Sequence, residues 1–338
     1  MLDVFFAILP IFLVIGFGLI ADRLELLPAP SSSLLSLYVL RLALPVMLFR
    51  IMAGADPAQM LRGGFWAGLF VSQFFVYGLG YGVERLLARR GKGEAVTTAL
   101  SCSSGIAAFI GLPVVQFLLP GNNEALLAAG LAAIMPSMGM AVGQVHYEVI
   151  KEEASGVPAP ASTSSHGGSA SSRPPVWAIL FRAIFRNPLI IALAAGSLLG
   201  LTGLGLWGPL DRTAAFIGST SAPCVLLALG LDLRSKLRLA LRASGGNMAV
   251  RQAGVSVAKL LVHPLLAWGI MHVLGVTGLW LAVGVIMSAT STAVGAYALA
   301  EVYGQVSEEA AFSVVITSGL SLFTMSGFAY AFRAAGWI

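Results

Sequence analysis

Charge is what this chain of 338 residues is shortest of. Asp, Glu, Lys and Arg make up 10% of it, against about a quarter in soluble domains, so a water-facing globular surface is excluded. Cysteine is nearly absent. Cys102 and Cys224 are the two, each inside an apolar run, with no C-x-x-C pair and no His/Cys spacing suited to a metal. They read as buried small residues rather than as a disulfide or redox pair. Carboxylates are missing from the middles of the apolar runs: Asp3, Asp22, Glu84, Glu148, Asp232, Glu301, Glu308 and Glu309 fall at run ends or in loops. Cation carriers and proton relays keep such a group at mid-membrane depth, so the pattern favours an anionic solute. No nucleophile and base share a helix face, so neither an enzyme nor a cofactor is expected. A coupling Na+ or H+ stays open, because sodium also binds carbonyls and hydroxyls.

What is present is apolar. Hydrophobic residues are 57% of the chain and the mean hydropathy is +0.88. Ten spans of bilayer length can be drawn: 3–21, 34–53, 64–88, 95–119, 124–147, 177–203, 213–231, 250–274, 279–303 and 308–333. The first is not a cleaved signal, since Asp3 stands where a basic segment should and no small-residue cleavage site follows. Fourteen Lys and Arg fall in loops on one side and four on the other, with Arg41 and Lys259 inside spans. The positive-inside rule makes the basic side cytoplasmic and both termini external, in the plasma (bacterial inner) membrane. The same rule accounts for the net charge of +5 without a nucleic-acid partner.

The polar stretch 148–176 is rich in Ser, Ala, Gly and Pro and cannot bury a core, which predicts a disordered cytoplasmic linker. It divides the chain into 1–147 and 177–338, five spans each. Pro10 with Pro188, Pro45 with Pro223, and position 113 with 291 share one offset of 178 residues. An odd number of spans per half forces the second half to insert upside down, the inverted repeat of many secondary transporters.

Span four, SCSSGIAAFIGLPVVQFLL, is built to break. Ser103, Ser104 and Gly105 are followed by Gly111 and Pro113, and a proline lacks an amide hydrogen and clashes with the carbonyl four residues earlier. In hydrocarbon such a break survives only where protein or water covers it. The repeat predicts a second break in span nine, at Ser288, Thr290, Ser291, Thr292 and Gly295. This one has no proline and relies on hydroxyls that bond back to carbonyls. Crossed at mid-membrane, the two half-helices would present their positive amino ends to one cavity.

GLPVV after the Ser/Gly run, RNPLIIALAAG, KLLVHPLLA and AVGAYALAEVYG resemble the auxin efflux carrier family of membrane transporters, over essentially the whole chain outside the linker. The resemblance implies an all-α fold of ten transmembrane helices, two inverted five-helix repeats with crossed broken helices 4 and 9. It implies a scaffold of helices 1, 2, 6 and 7, often dimeric, with a homodimer contact through helices 1, 2 and 7. Helices 3–5 and 8–10 would form a moving, elevator-like unit that carries organic anions. The chain departs from the family where Asn-Thr-Gly is replaced by Ile106, Ala107 and Ala108, and where Pro and Asn are replaced by Ser291 and Gly295.

Lys259 and His263 lie four apart on one helix face, with Pro264 beside them. Lys259 either attracts the anion or snorkels to headgroups, and His263 donates a hydrogen bond, titrates or is structural. Arg41, four before Pro45, either meets the substrate or snorkels. The expectation is a secondary carrier of small organic anions, chiefly carboxylates, by alternating access. Its substrate-binding residues would be Ser103, Ser104, Gly105, Gly111, Pro113, Lys259, His263, Ser288, Thr290, Ser291, Thr292, Gly295 and Arg41. The alternatives are a sodium-coupled anion symporter of the bile-acid type and a non-transporting sensor or channel.

Overall fold

The computed structural model describes residues 2–28, 30–55, 57–155, 181, 185–242 and 248–338. Its elements are α1 (Leu2–Arg23), α2 (Ser31–Ala53), α3 (Gly63–Gly82), α4 (Lys92–Ser103), α5 (Ala107–Leu118), α6 (Asn123–Glu153), α7 (Pro188–Thr202), α8 (Gly208–Arg238), α9 (Met248–Val273), α10 (Gly278–Ser288), α11 (Val294–Val302) and α12 (Ser307–Ala334). Among them α2, α6, α8, α9 and α12 are long and apolar enough to cross a membrane.

Local sequence explains the ends. Asn122 Oδ1 accepts from the Ala125 amide at 2.9 Å and starts α6. Asn187 does the same for Leu189 at 3.0 Å, with Pro188 in the first turn of α7. The missing amide costs nothing there. Inside helices, prolines widen the turn before them: π-helical turns at Val39–Ala43, Ala107–Gly111 and Ala258–Val262 precede Pro45, Pro113 and Pro264. Losing one amide donor and pushing away one carbonyl shifts the ladder by a residue.

Two expectations need correction. The helix ending the first half runs on to Ser155, so residues 148–155 of the polar segment are helical rather than disordered. Tyr303 donates to Glu148 at 2.6 Å and Lys92 pairs with Glu153, which hold those turns to α11 and α4. Residues 156–176 lie outside the described residues. The single offset of 178 also fails at the breaks. Ser31 and Gly208 are 177 residues apart, but Ala107 and Val294 are 187 apart. The residues that open α5 and α11 therefore do not share the offset of the prolines.

The polar contacts sort the helices into two groups. Arg50 makes a two-pronged pair with Asp211 (2.7 and 3.1 Å), Tyr38 meets Thr220 at 2.7 Å, and Arg234 reaches Asp22 at 3.5 Å. These tie α1, α2 and α8, and α7 packs on α2. Gly18 and Gly230 let α1 and α8 touch backbone to backbone: a Cβ on Gly230 would strike the Ile15 carbonyl. In the second group Arg90 holds Glu309 (2.8 and 3.0 Å) and Glu94 (2.7 Å), and Arg251 holds Glu84 (3.6 Å) and Glu309. Burial works against the Arg90 charge, yet Glu309, Glu94 and Glu84 outweigh it and keep its pKa above the ordinary guanidinium value. At the other end Trp280 donates to Glu124 at 2.6 Å, and Arg62 stacks over the Trp280 ring at 4.5 Å. Together these bonds join α3, α4, α6, α9, α10 and α12. Among the side-chain hydrogen bonds of the described residues, Gln116 Nε2 to Met47 Sδ at 3.1 Å connects the groups. The packed part of the boundary is apolar, with Ile8, Ile11, Leu44 and Leu48 in one continuous core that includes Leu112, Leu127 and Phe332.

Candidate functional site

The chain breaks twice, and the breaks bond to each other. Ser104 leaves the helix in extended geometry and Ala293 is extended before α11. Between them the Ile106 amide donates to the Ser291 carbonyl and the Ala293 amide to the Ser104 carbonyl, both at 2.9 Å, with Gly105 and Thr292 paired antiparallel. Two short extended pieces thus satisfy groups that two interrupted helices would leave bare at the centre of a membrane. Gly105 must lack a side chain, since a Cβ would strike Thr290 Oγ1 and lie 3.0 Å from Lys259 Nζ.

Span nine breaks without a proline because hydroxyls take over the backbone. The Thr292 amide donates to Thr317 Oγ1 at 3.0 Å, Thr292 Oγ1 donates to the Ser101 carbonyl at 2.8 Å, and Thr290 Oγ1 donates to the Met287 carbonyl at 2.9 Å. All three threonines are wholly buried.

On one side of this crossing lies a cavity of about 390 Å³. Its walls come from both groups of helices: Ser36, Leu40, Leu189, Leu229 and Asp232 from the first; Gly105 to Phe109, Pro136, Ser137, Ala293 to Gly295 and Ala298 from the second. Ala107, Ala108, Val294 and Gly295 are first-turn residues of α5 and α11, whose amides have no partner within their own helix. They give the cavity two positive helix ends in a wall that is mostly apolar apart from Ser36, Ser137 and Asp232.

Lys259 lies on the far side. It is wholly buried, and Nζ sits 2.9 Å from the Ser288 carbonyl and 3.1 Å from His263 Nδ1. It therefore does not snorkel. Nζ donates to the carbonyl end of α10, where the helix dipole is negative, and shares a hydrogen bond with His263 Nδ1 whose direction depends on the imidazole tautomer. With Gln73, Ser103 and Ser288 the two residues enclose a void of about 20 Å³, room for one water.

The predicted residues thus separate. Gly295 lines the large cavity, and Gly105 lines both it and the small void. Ser103, Lys259, His263 and Ser288 line the small void. Thr290, Ser291 and Thr292 make the crossing, and Ser104 is buried beside it with no partner for Oγ. Gly111 packs against Met287, where a Cβ would lie 2.6 Å from Sδ, and Pro113 is buried. Arg41 is exposed and absent from both sets of walls. Sequence reasoning missed Asp232, which hydropathy put at a span end, and also Ala107 and Ala108, whose side chains carry no signal because their amides carry the function. An apolar run continuing through LALGLDL is the one hint that Asp232 faces a cavity.

A second cavity of about 460 Å³, lined by Arg50, Gly54, Gln59, Asn123, Glu124 and Asp211 among others, sits between the same two groups and shares no wall residue with the first. Among the described residues no cluster of three or more His, Cys, Asp or Glu could hold a metal ion.

Comparison with known proteins gives two matches. A family model described as "Membrane transport protein" fits residues 3–329. A protein of Rhizobium meliloti (strain 1021) named "Putative malonate transporter" is 26% identical over 331 residues, which is 97% of this chain and 95% of that protein.

Proposed function

Because the chain belongs to this family of membrane transport proteins, the auxin efflux carrier family that its motifs resemble, we propose that it is a secondary carrier of small organic anions, chiefly carboxylates, working by alternating access. It is an integral membrane transporter and not an enzyme. The observation that carries the finer reading is the convergence of two half-helix amino ends on one cavity between two helix groups. Backbone amides at such ends hold a carboxylate without a basic side chain. The ten helices would form two inverted five-helix repeats. The scaffold would be α1, α2, α7 and α8, dimeric through its lipid face. The remaining helices would move against it, with the basic loops cytoplasmic in the plasma membrane. Apart from the Gln116–Met47 contact, the side-chain hydrogen bonds of the described residues stay within each group while the boundary is largely apolar, which supports sliding of one rigid body on another.

Two observations weigh against the alternatives. A sodium-coupled symporter needs a cation at the crossing, and Lys259 Nζ already occupies the carbonyl end of α10. A channel needs a continuous path, and the two cavities share no wall. The test is uptake of an organic-acid panel into proteoliposomes with and without sodium. The reading predicts saturable, sodium-independent uptake of at least one carboxylate. Background flux for the whole panel overturns it.

A further inference from the structure

Among the described residues, Asp232 is the one ionisable side chain on the wall of the 390 Å³ cavity. It stands on α8, in the first helix group, while the helix ends that would hold a carboxylate stand in the second. Its carboxylate takes Lys236 Nζ on Oδ2 and Ser235 Oγ on Oδ1 at 3.1 Å, and its side chain is 39% exposed. A carboxylate has about four acceptor sites, so each oxygen keeps capacity for a further donor. Lys236 is turned into that pair and is not on the wall, and the described wall holds no Lys, Arg or His. The other surfaces are Leu40, Leu189, Leu229, Phe109 and Val294, with the hydroxyls of Ser36 and Ser137.

We propose that, among carboxylates, the cavity favours one with an apolar body and a hydrogen-bond-donating ammonium at its far end, a zwitterion at neutral pH. The cavity then has a place for each part. The carboxylate sits on the amides of α5 and α11, the hydrocarbon lies against the leucines and Phe109, and the amine reaches Asp232. A dicarboxylate offers Asp232, already paired with Lys236, no donor, and its second carboxylate would lie against a described wall with no Lys, Arg or His to pair it. The volume suits the size, since 390 Å³ equals about a dozen waters at about 30 Å³ each.

This rests on the carrier reading, and three probes on one six-carbon chain test it: hexanoate, 6-aminohexanoate and adipate, with malonate as a fourth. Each competes for uptake by the purified protein in proteoliposomes and is scored for thermal stabilisation. The expected order is 6-aminohexanoate, then hexanoate, then adipate and malonate, with about tenfold between first and last. Asp232→Asn should bring that ratio to within about threefold, chiefly by admitting adipate, and Asp232→Glu should keep the order. Adipate or malonate matching 6-aminohexanoate in the wild type overturns the proposal, and so does an unchanged order in Asp232→Asn. If none of the four competes while another panel acid is carried, this substrate class is wrong and the carrier reading stands. If no acid is carried at all, both fall.

Discussion

Thr317 carries more of the site than its type suggests. Its hydroxyl accepts from the Thr292 amide and donates to the Ser313 carbonyl at 2.6 Å, so one side chain satisfies the backbone where a proline would have removed the need. Thr317→Val should cost about 1–3 kcal/mol, the penalty for an orphaned buried donor. It should also slow uptake, while Thr317→Ser restores both, as read by thermal unfolding and initial rates. Lys259 follows the same logic. Lys259→Met leaves the Ser288 carbonyl bare, and we expect a loss of about 1–3 kcal/mol together with slower uptake at unchanged sodium independence. New sodium-stimulated flux in that variant would instead mean that a cation had entered the vacated place. Lys259 was visible in the sequence because a charge in an apolar run must be explained. Its direction was not, since one helix face fits both a cavity and a capped carbonyl. Ala107 and Ala108 were invisible, because the chemistry they offer belongs to the backbone.

The breaks belong to the scale of the element. Pro113 made the first legible, and the structure adds that the π-helical turn Ala107–Gly111 sits between the extended piece and that proline. Pro113→Ala restores an amide and lets the ladder tighten to α-helical spacing, so we expect slower transport with stability unchanged within about 1 kcal/mol. Initial uptake rates beside unfolding curves check this, and wild-type turnover would make the proline a packing feature alone. The second break was legible as a run of hydroxyl residues, though its register was not. Matching prolines at a constant offset assumes equal element lengths, and α8 has 31 residues where α2 has 23. Asp232 was lost for a related reason. A hydropathy window ends a span at the first charge, whereas α8 continues as one helix past it.

For the whole molecule the decisive feature is the sorting of polar bonds into two helix groups with a greasy boundary. Composition could say that the chain belongs in a membrane, because 10% charge leaves no other solvent. It could not say which helices travel together, since that depends on partners such as Arg90 and Glu309, which lie 219 residues apart. The most direct test bridges the boundary. Gly130 on α6 faces Leu48 on α2, with a Cβ on Gly130 falling 2.6 Å from Leu48 Cδ2. In a chain with Cys102 and Cys224 replaced by alanine, Leu48→Cys with Gly130→Cys can be joined by a short cleavable thiol cross-linker. Tyr38→Cys with Thr220→Cys, inside one group, serves as the control. The account predicts that the first cross-link reduces anion uptake to background, that cleavage restores it, and that the control cross-link leaves uptake intact. Undiminished uptake by carriers bridged between positions 48 and 130 would contradict it.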